Sequence, residues 1–81
     1  MAEVTDHLEA IFVDLMPRES GPVARWTKLN CVNWDSLFHL NLIVAIEQEF
    51  QVRLTDDDIV DLTSFEAAAK IVEQRLAVRN G

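Results

Sequence analysis

Proline and glycine, the residues that interrupt helices, are scarce in this chain and clustered. Two prolines and two glycines are present, and three of these four residues lie close together at Pro17, Gly21 and Pro22. With so few turn-forming residues, an all-β fold and a long repeat array are disfavoured. The chain has 81 residues, of which 49% are hydrophobic, so it can bury one small core. We therefore predict a single all-α domain over residues 1–81.

Four segments have apolar residues at helical spacing, and residues that cap or stop helices separate them. In chain order the predicted helices run from about Glu3 to Leu15, from Asp35–Ser36 to about Phe50, through a short segment opening at Thr55–Asp58, and onward from Thr63–Glu66. Asp35 and Thr55 are suited to cap helices, and Thr63 and Glu66 have capping-box spacing. The predicted fold is a small four-helix bundle with three main helices, one short third helix and a long first loop.

The first loop, between Pro17 and Trp34, loses the helical spacing but keeps apolar residues. These are Val23, Trp26, Leu29, Val32 and Trp34. They predict an ordered loop packed onto the core. Long ordered loops in small domains are more often functional than not.

Charge limits the possible partners. Acidic residues outnumber basic ones by 14 to 7, for a formal net charge of -7. This balance argues against binding to nucleic acid or to an anionic membrane surface, and it favours partner proteins with basic patches. No apolar run is long enough to span a bilayer, no basic N-terminal signal is present, and Cys31 has no disulfide partner in the chain. We expect a cytoplasmic protein.

Independent catalysis and metal binding find little support. His7 and His39 are far apart, and the acidic run Asp56–Asp58 lacks the glycine and closing glutamate of a calcium loop. A triad of Asp35, Ser36 and His39 is also disfavoured, because Asp35 should be spent on backbone amides. We expect no catalytic residue and no metal site.

Ser36 stands in the first turn of the most apolar predicted helix, directly after the long loop. Serine is poor in helix interiors but is accepted at the N-terminus, where its hydroxyl projects outward. A phosphate on that oxygen would lie at the positive end of the helix dipole. The simpler interpretation is that Asp35 and Ser36 are only a capping pair, since Asp-Ser-Leu also occurs by chance.

The sequence around Ser36 closely resembles the modification helix of acyl carrier proteins. In that family an Asp-Ser-Leu opens the second helix, as Asp35–Leu37 does here, and the apolar segment ends in a Glu-rich turn and Phe, as in Glu47–Phe50. The resemblance continues through Val52–Ile59 and Thr63–Ala68.

This resemblance implies that Ser36, flanked by Asp35 and Leu37, is the attachment site of a 4′-phosphopantetheine cofactor. A separate phosphopantetheinyl transferase would install it from coenzyme A with Mg²⁺. The terminal thiol of the arm would carry acyl groups as thioesters, so Cys31 is not needed for chemistry. The chain would be a monomeric carrier without catalytic activity of its own. It would present cargo to acyl-loading and acyl-transferring enzymes of a lipid, polyketide or other specialised pathway.

Two residues before Ser36 depart from the family pattern. Asn33 occupies a position that is often Gly, and we expect it to keep a left-handed turn. Trp34 replaces a smaller residue, and we expect it to pack the loop onto the bundle.

The predicted partner surface also departs from that of fatty-acid carriers. It comprises Phe38, Asn41, Glu47, Gln48, Asp56 and Asp57. Because Phe38, Asn41 and Gln48 stand where that group commonly has carboxylates, we expect docking through an apolar contact at Phe38 and Leu37. The alternative is that Phe38 folds back against Trp34. The hypothesis is a specialised, free-standing carrier with basic or apolar docking patches on its partners.

Two other functions remain open. One is an aminoacyl or peptidyl carrier of a nonribosomal-type pathway, although that branch usually has Gly-Gly where Asn33-Trp34 stands here. The other is an unmodified acidic adaptor that keeps the fold and binds partner proteins without cargo.

Overall fold

A computed structural model describes the backbone of residues 2–80 and the side chains of residues 3–78. Its helices, in chain order, are α1 (Ala2–Leu15), α2 (Ser36–Phe50), α3 (Asp56–Asp61) and α4 (Phe65–Asn80). One 3-10 turn, Val23–Arg25, lies in the loop between α1 and α2. The prediction of an all-α four-helix bundle with a short third helix is confirmed. None of the helices in residues 2–80 is long and apolar enough to cross a membrane.

Phe12 of α1 lies at the centre of the core. Its fully buried ring meets the rings of Trp34, Phe38 and Phe65 edge to face, at centroid distances of 5.6, 5.8 and 5.2 Å. Such aromatic pairs stabilise the fold by more than the burial of their apolar surface alone would. The largest fully buried aliphatic residues around them are Leu8, Leu42, Ile46, Leu62 and Val72. One side chain of α1 therefore joins the first loop, α2 and α4.

Backbone hydrogen bonds tie the first loop to the start of α4. The N–H of Lys28 donates to the carbonyl of Thr63 at 2.8 Å, and the N–H of Phe65 donates to the carbonyl of Trp26 at 2.9 Å. Both tryptophans of the chain lie in this loop and are buried. The loop is therefore an ordered part of the bundle, as predicted.

Two apolar residues of the loop do not pack as predicted. Leu29 and Val32 are 99% and 93% exposed. Leu29 lies at the tip of a turn that Thr27 and Asn30 fix, since each accepts the other's backbone N–H through its side-chain oxygen. The prediction that Leu29 and Val32 pack onto the core is wrong: the turn holds Leu29 outward, and Val32, which lies beyond this turn, is exposed as well.

A capping box starts α3. The Oγ1 of Thr55 accepts from the N–H of Asp58 at 3.1 Å, and Oδ2 of Asp58 accepts from the N–H of Thr55 at 3.0 Å. Asp58 is buried and also meets Nε of Arg75 at 3.2 Å, whereas Asp56 and Asp57 are exposed. Only one of the three consecutive aspartates is therefore part of the core structure.

The predicted capping box of α4 is wrong. Ser64, rather than Thr63, caps this helix, because its Oγ accepts from the N–H of Ala67 at 2.9 Å. Glu66 instead lies 3.7 Å from Lys70 one turn further along. Both candidate caps carry a hydroxyl, and the helix begins one residue later than the spacing predicts.

Candidate functional site

Ser36 is the first residue of α2, and its side chain is exposed. The helix begins there because Asp35 has extended backbone and its Oδ1 accepts from the N–H of Phe38 at 2.8 Å. The carbonyl of Asp35 accepts from the N–H of His39 at 3.0 Å and closes the first turn. Within residues 3–78, the hydroxyl of Ser36 has no hydrogen-bond partner. This oxygen is therefore open to a reagent from solvent.

His39 joins the first loop, α2 and α3 through its imidazole ring. The Nε1–H of Trp34 donates to Nδ1 of His39 at 3.2 Å, and Nε2 of His39 lies 3.1 Å from the carbonyl of Ile59. An indole N–H can only donate and a carbonyl can only accept, so the ring carries its proton on Nε2. Neither ring nitrogen is left for Ser36, and the three residues Asp35, Ser36 and His39 do not form a catalytic triad.

A surface depression of about 450 Å³ lies beside Ser36. It is lined by Lys28, Trp34, Asp35, Ser36, His39 and Leu40. We call it the Ser36 depression. A larger depression of about 600 Å³ lies near the C-terminal end of α2 and includes Glu47 and Arg75 but not Ser36. Proximity to the exposed hydroxyl, rather than size, makes the smaller one the candidate site.

Phe38 does not lie on the outer surface of α2. It is only 5% exposed, and its ring centroid is 4.9 Å from that of Trp34. The prediction that Phe38 offers an apolar contact to partners is wrong, because the loop residue Trp34 covers it and α1 contributes Phe12 beneath it. Leu37, which is 67% exposed, is the apolar residue next to Ser36 that remains accessible.

The exposed side of α2 brings together part of the predicted partner surface. Leu37, Asn41 and Gln48 are exposed along this helix. Glu47 differs, because it is half-buried and its Oε2 accepts from the N–H of Leu54 at 3.0 Å. Its carboxylate supports the connection between α2 and α3, so this position does not support its assignment to the partner surface.

Asn33 does not form the predicted left-handed turn. Among the described residues other than glycine, positive φ occurs at Gln51, which ends α2 with φ 55°. Asn33 instead donates through Nδ2 to Oε2 of Glu19 at 2.9 Å. It therefore shapes the loop before Ser36 by a side-chain bond rather than by a left-handed backbone.

Cys31 is buried near the end of the same loop. Burial raises the pKa of its thiol above the ordinary value, and the nearby carboxylate of Glu19 adds to the shift. A hydrogen bond with the backbone of Thr27 acts in the opposite direction. Cys31 is therefore a structural thiol, since the reactive thiolate is disfavoured.

The sequence does not indicate that Lys28 lines this site or that His39 joins two elements beside it. The sequence alone suggests His39 only as a candidate catalytic or metal-binding group, because its half-buried position between two elements depends on tertiary packing. Lys28 reaches the Ser36 depression because the loop is tied back to Thr63, a contact for which the local sequence carries no signal.

The sequence matches no known protein-family profile. The structure is similar to the solution NMR structure of the holo acyl carrier protein from Geobacter metallireducens, with a TM-score of 0.78 and 30% sequence identity. The match covers 94% of this chain and 88% of that chain, so the similarity extends over nearly the whole bundle.

Proposed function

The chain belongs to the acyl carrier protein family, and from this membership we propose that Ser36 is the attachment site of 4′-phosphopantetheine. The observation that carries the proposal is the exposed hydroxyl of Ser36 at the first position of α2, with no bond to another described residue. The solved neighbour is a holo carrier protein, which supports the cofactor by homology. When attached, the arm supplies a terminal thiol that holds acyl groups as thioesters.

The residues around Ser36 fit such a group. The carboxylate of Asp35 is engaged with the first turn of α2, so it fixes the helix start rather than competing for the serine hydroxyl. The ring of His39 is held away from Ser36 by its bonds to Trp34 and Ile59. The Ser36 depression then leaves space on one side of the attachment point.

Loading would occur in one group-transfer step on a separate transferase with Mg²⁺. Oγ of Ser36 attacks the phosphorus of coenzyme A that bears pantetheine, and a new Oγ–P bond forms. The P–O bond to 3′,5′-adenosine bisphosphate breaks, and this nucleotide leaves. The hydroxyl proton passes to a base of the transferase, and no group is oxidised or reduced.

Partner enzymes would read the exposed side of α2 next to the arm. Leu37 supplies an apolar contact, Asn41 and Gln48 supply neutral polar contacts, and Asp56 and Asp57 of α3 supply negative charge. This combination favours partners with an apolar pocket beside a basic patch. It supports a carrier of acyl intermediates in a specialised lipid or polyketide pathway. Efficient elongation of its cargo by housekeeping fatty-acid enzymes would contradict this specialisation.

The attachment site is tested by incubating the protein with coenzyme A, Mg²⁺ and a broad-range phosphopantetheinyl transferase, followed by intact mass. The wild type is expected to gain one phosphopantetheine group. Ser36→Ala should gain none, and Ser20→Ala should gain one, since Ser20 is an exposed serine in the loop between α1 and α2. Gain by Ser36→Ala would disprove the site.

The same experiment bears on the other two functions. If the folded wild type gains no phosphopantetheine group, the result would favour an unmodified acidic adaptor. If the arm is added, offering the loaded protein to acyl-transferring and to aminoacyl-activating enzymes separates an acyl carrier from an aminoacyl carrier. We expect thioester formation with the acyl donors.

A further inference from the structure

We propose that the Ser36 depression binds the proximal end of the phosphopantetheine arm, with Lys28 as the counter-ion of its phosphodiester. This inference rests on the proposed attachment at Ser36. The first part of the arm would then lie against the bundle rather than project freely. We call this binding position on the surface the seat.

The location of Lys28 supports this proposal. Lys28 and Ser36 line the same depression, although one belongs to the first loop and the other to α2. The backbone of Lys28 is fixed, because its N–H donates to the carbonyl of Thr63 at 2.8 Å. The adjacent turn is fixed as well, through the reciprocal bonds of Thr27 and Asn30. A loop held by hydrogen bonds therefore places Lys28 among the residues that line the site.

The charge of Lys28 also supports the proposal. Lys28 has no acidic partner among residues 3–78, although the chain has 14 acidic and 7 basic residues. A phosphodiester on Ser36 adds a negative charge beside the carboxylate of Asp35. Repulsion between these two anions would be offset by a cation that lines the same depression. Lys28 is the lysine or arginine that lines this depression.

The polarity of the depression matches that of the arm. The phosphate of the arm is followed by a carbon that bears two methyl groups, so the arm passes from anionic to apolar within a few bonds. The lining of the depression combines the same two characters, since it includes the charged Lys28 and the apolar residues Leu40 and Trp34. Leu40 is 61% exposed, so its side chain is accessible for this contact.

The test uses NMR on the loaded, full-length protein, after intact mass has shown that one arm is attached. We expect nuclear Overhauser contacts from the geminal methyl groups of the arm to Leu40 or to the indole of Trp34. Lys28→Ala should lose these contacts and shift the ³¹P resonance, whereas Lys28→Arg should retain them. Lys70→Ala, which removes an exposed lysine of α4, should behave like the wild type.

The outcomes separate this inference from the function on which it rests. If the mass shows no arm on the wild type, both the attachment and the seat are refuted. If the arm is attached but the wild type shows no contact to Leu40 or Trp34, the seat alone is refuted. Equal contacts and an equal ³¹P resonance in Lys28→Ala and Lys70→Ala would refute the role of Lys28. Amide spectra of the variants should match the wild type, because Lys28 is exposed.

Discussion

The indole Nε1–H of Trp34 donates a hydrogen bond to Nδ1 of His39, over a distance of 3.2 Å. The same imidazole reaches the carbonyl of Ile59 in α3. Trp34 thereby contacts the core through the rings of Phe12 and Phe38, and α3 through His39, just before the helix that begins with Ser36. The position of the proposed attachment site thus depends on a polar contact as well as on apolar packing.

We expect His39→Ala to destabilise the protein by about 1–3 kcal/mol, because it leaves the buried indole N–H without a partner. His7→Ala is the matched control. His7 also lies on a helix and pairs with Glu49 at 2.7 Å, but both side chains are about half exposed to solvent, so its loss should cost about 0–1 kcal/mol. Urea unfolding, monitored by circular dichroism, measures the free energy of unfolding of both variants. Equal stability of the two variants would contradict the structural role of His39.

Phe12→Ala should cost about 3–5 kcal/mol, since the ring is fully buried and meets three other aromatic rings. A domain this small has little stability to spare, so we expect the variant to be largely unfolded at room temperature. Val13→Ala truncates the neighbouring residue of α1, which is 44% exposed, and should leave the fold intact. A cooperative, near-wild-type thermal transition of Phe12→Ala would refute the central position of this ring.

The three consecutive aspartates of α3 should differ sharply in their contributions. Asp58→Ala removes half of the capping box and the contact with Arg75, so we expect a loss of about 1–3 kcal/mol. Asp57→Ala changes an exposed residue of the same turn and should shift stability by less than about 0.5 kcal/mol. Chemical denaturation of both variants measures the two changes in the free energy of unfolding. Similar losses of stability in the two variants would be inconsistent with the buried position of Asp58.

The thiol of Cys31 should react slowly with iodoacetamide in the folded protein at neutral pH. Burial raises the pKa of this thiol, so the thiolate forms only at higher pH than in the unfolded chain. The corresponding stability is fully present below the unfolded pKa and is lost as pH rises through the folded one. In loaded protein, the thiol of the arm should therefore be alkylated first, as mass-resolved labelling would show. Fast labelling of Cys31 in folded, unloaded protein would contradict this.

The sequence predicts the helices of this bundle well, because their apolar spacing and caps are local features. Asp35 and Thr55 cap α2 and α3 as their positions indicate. The choice between Thr63 and Ser64 at α4 could not be made locally, since either hydroxyl can cap a helix. That choice depends on where the loop bonds to the start of α4.

The surroundings of Ser36 were harder to predict, because they are assembled from the loop and from two helices. Phe38 lies on a helix that is apolar on more than one face, so spacing alone does not say which face is covered. Trp34 covers it from outside α2. Leu29 is an apolar residue that the local turn holds outward, which no helical period could indicate.

Locating the arm by tandem mass spectrometry, after the transferase reaction, tests the assignment of Ser36 most directly. The chain has three serines, Ser20, Ser36 and Ser64, and we expect the phosphopantetheine group on the peptide that contains Ser36, with the fragment series placing it on that residue. Ser20 and Ser64 should remain unmodified. An arm located on Ser20 or Ser64, or a folded wild type that accepts none, would contradict the proposed carrier site.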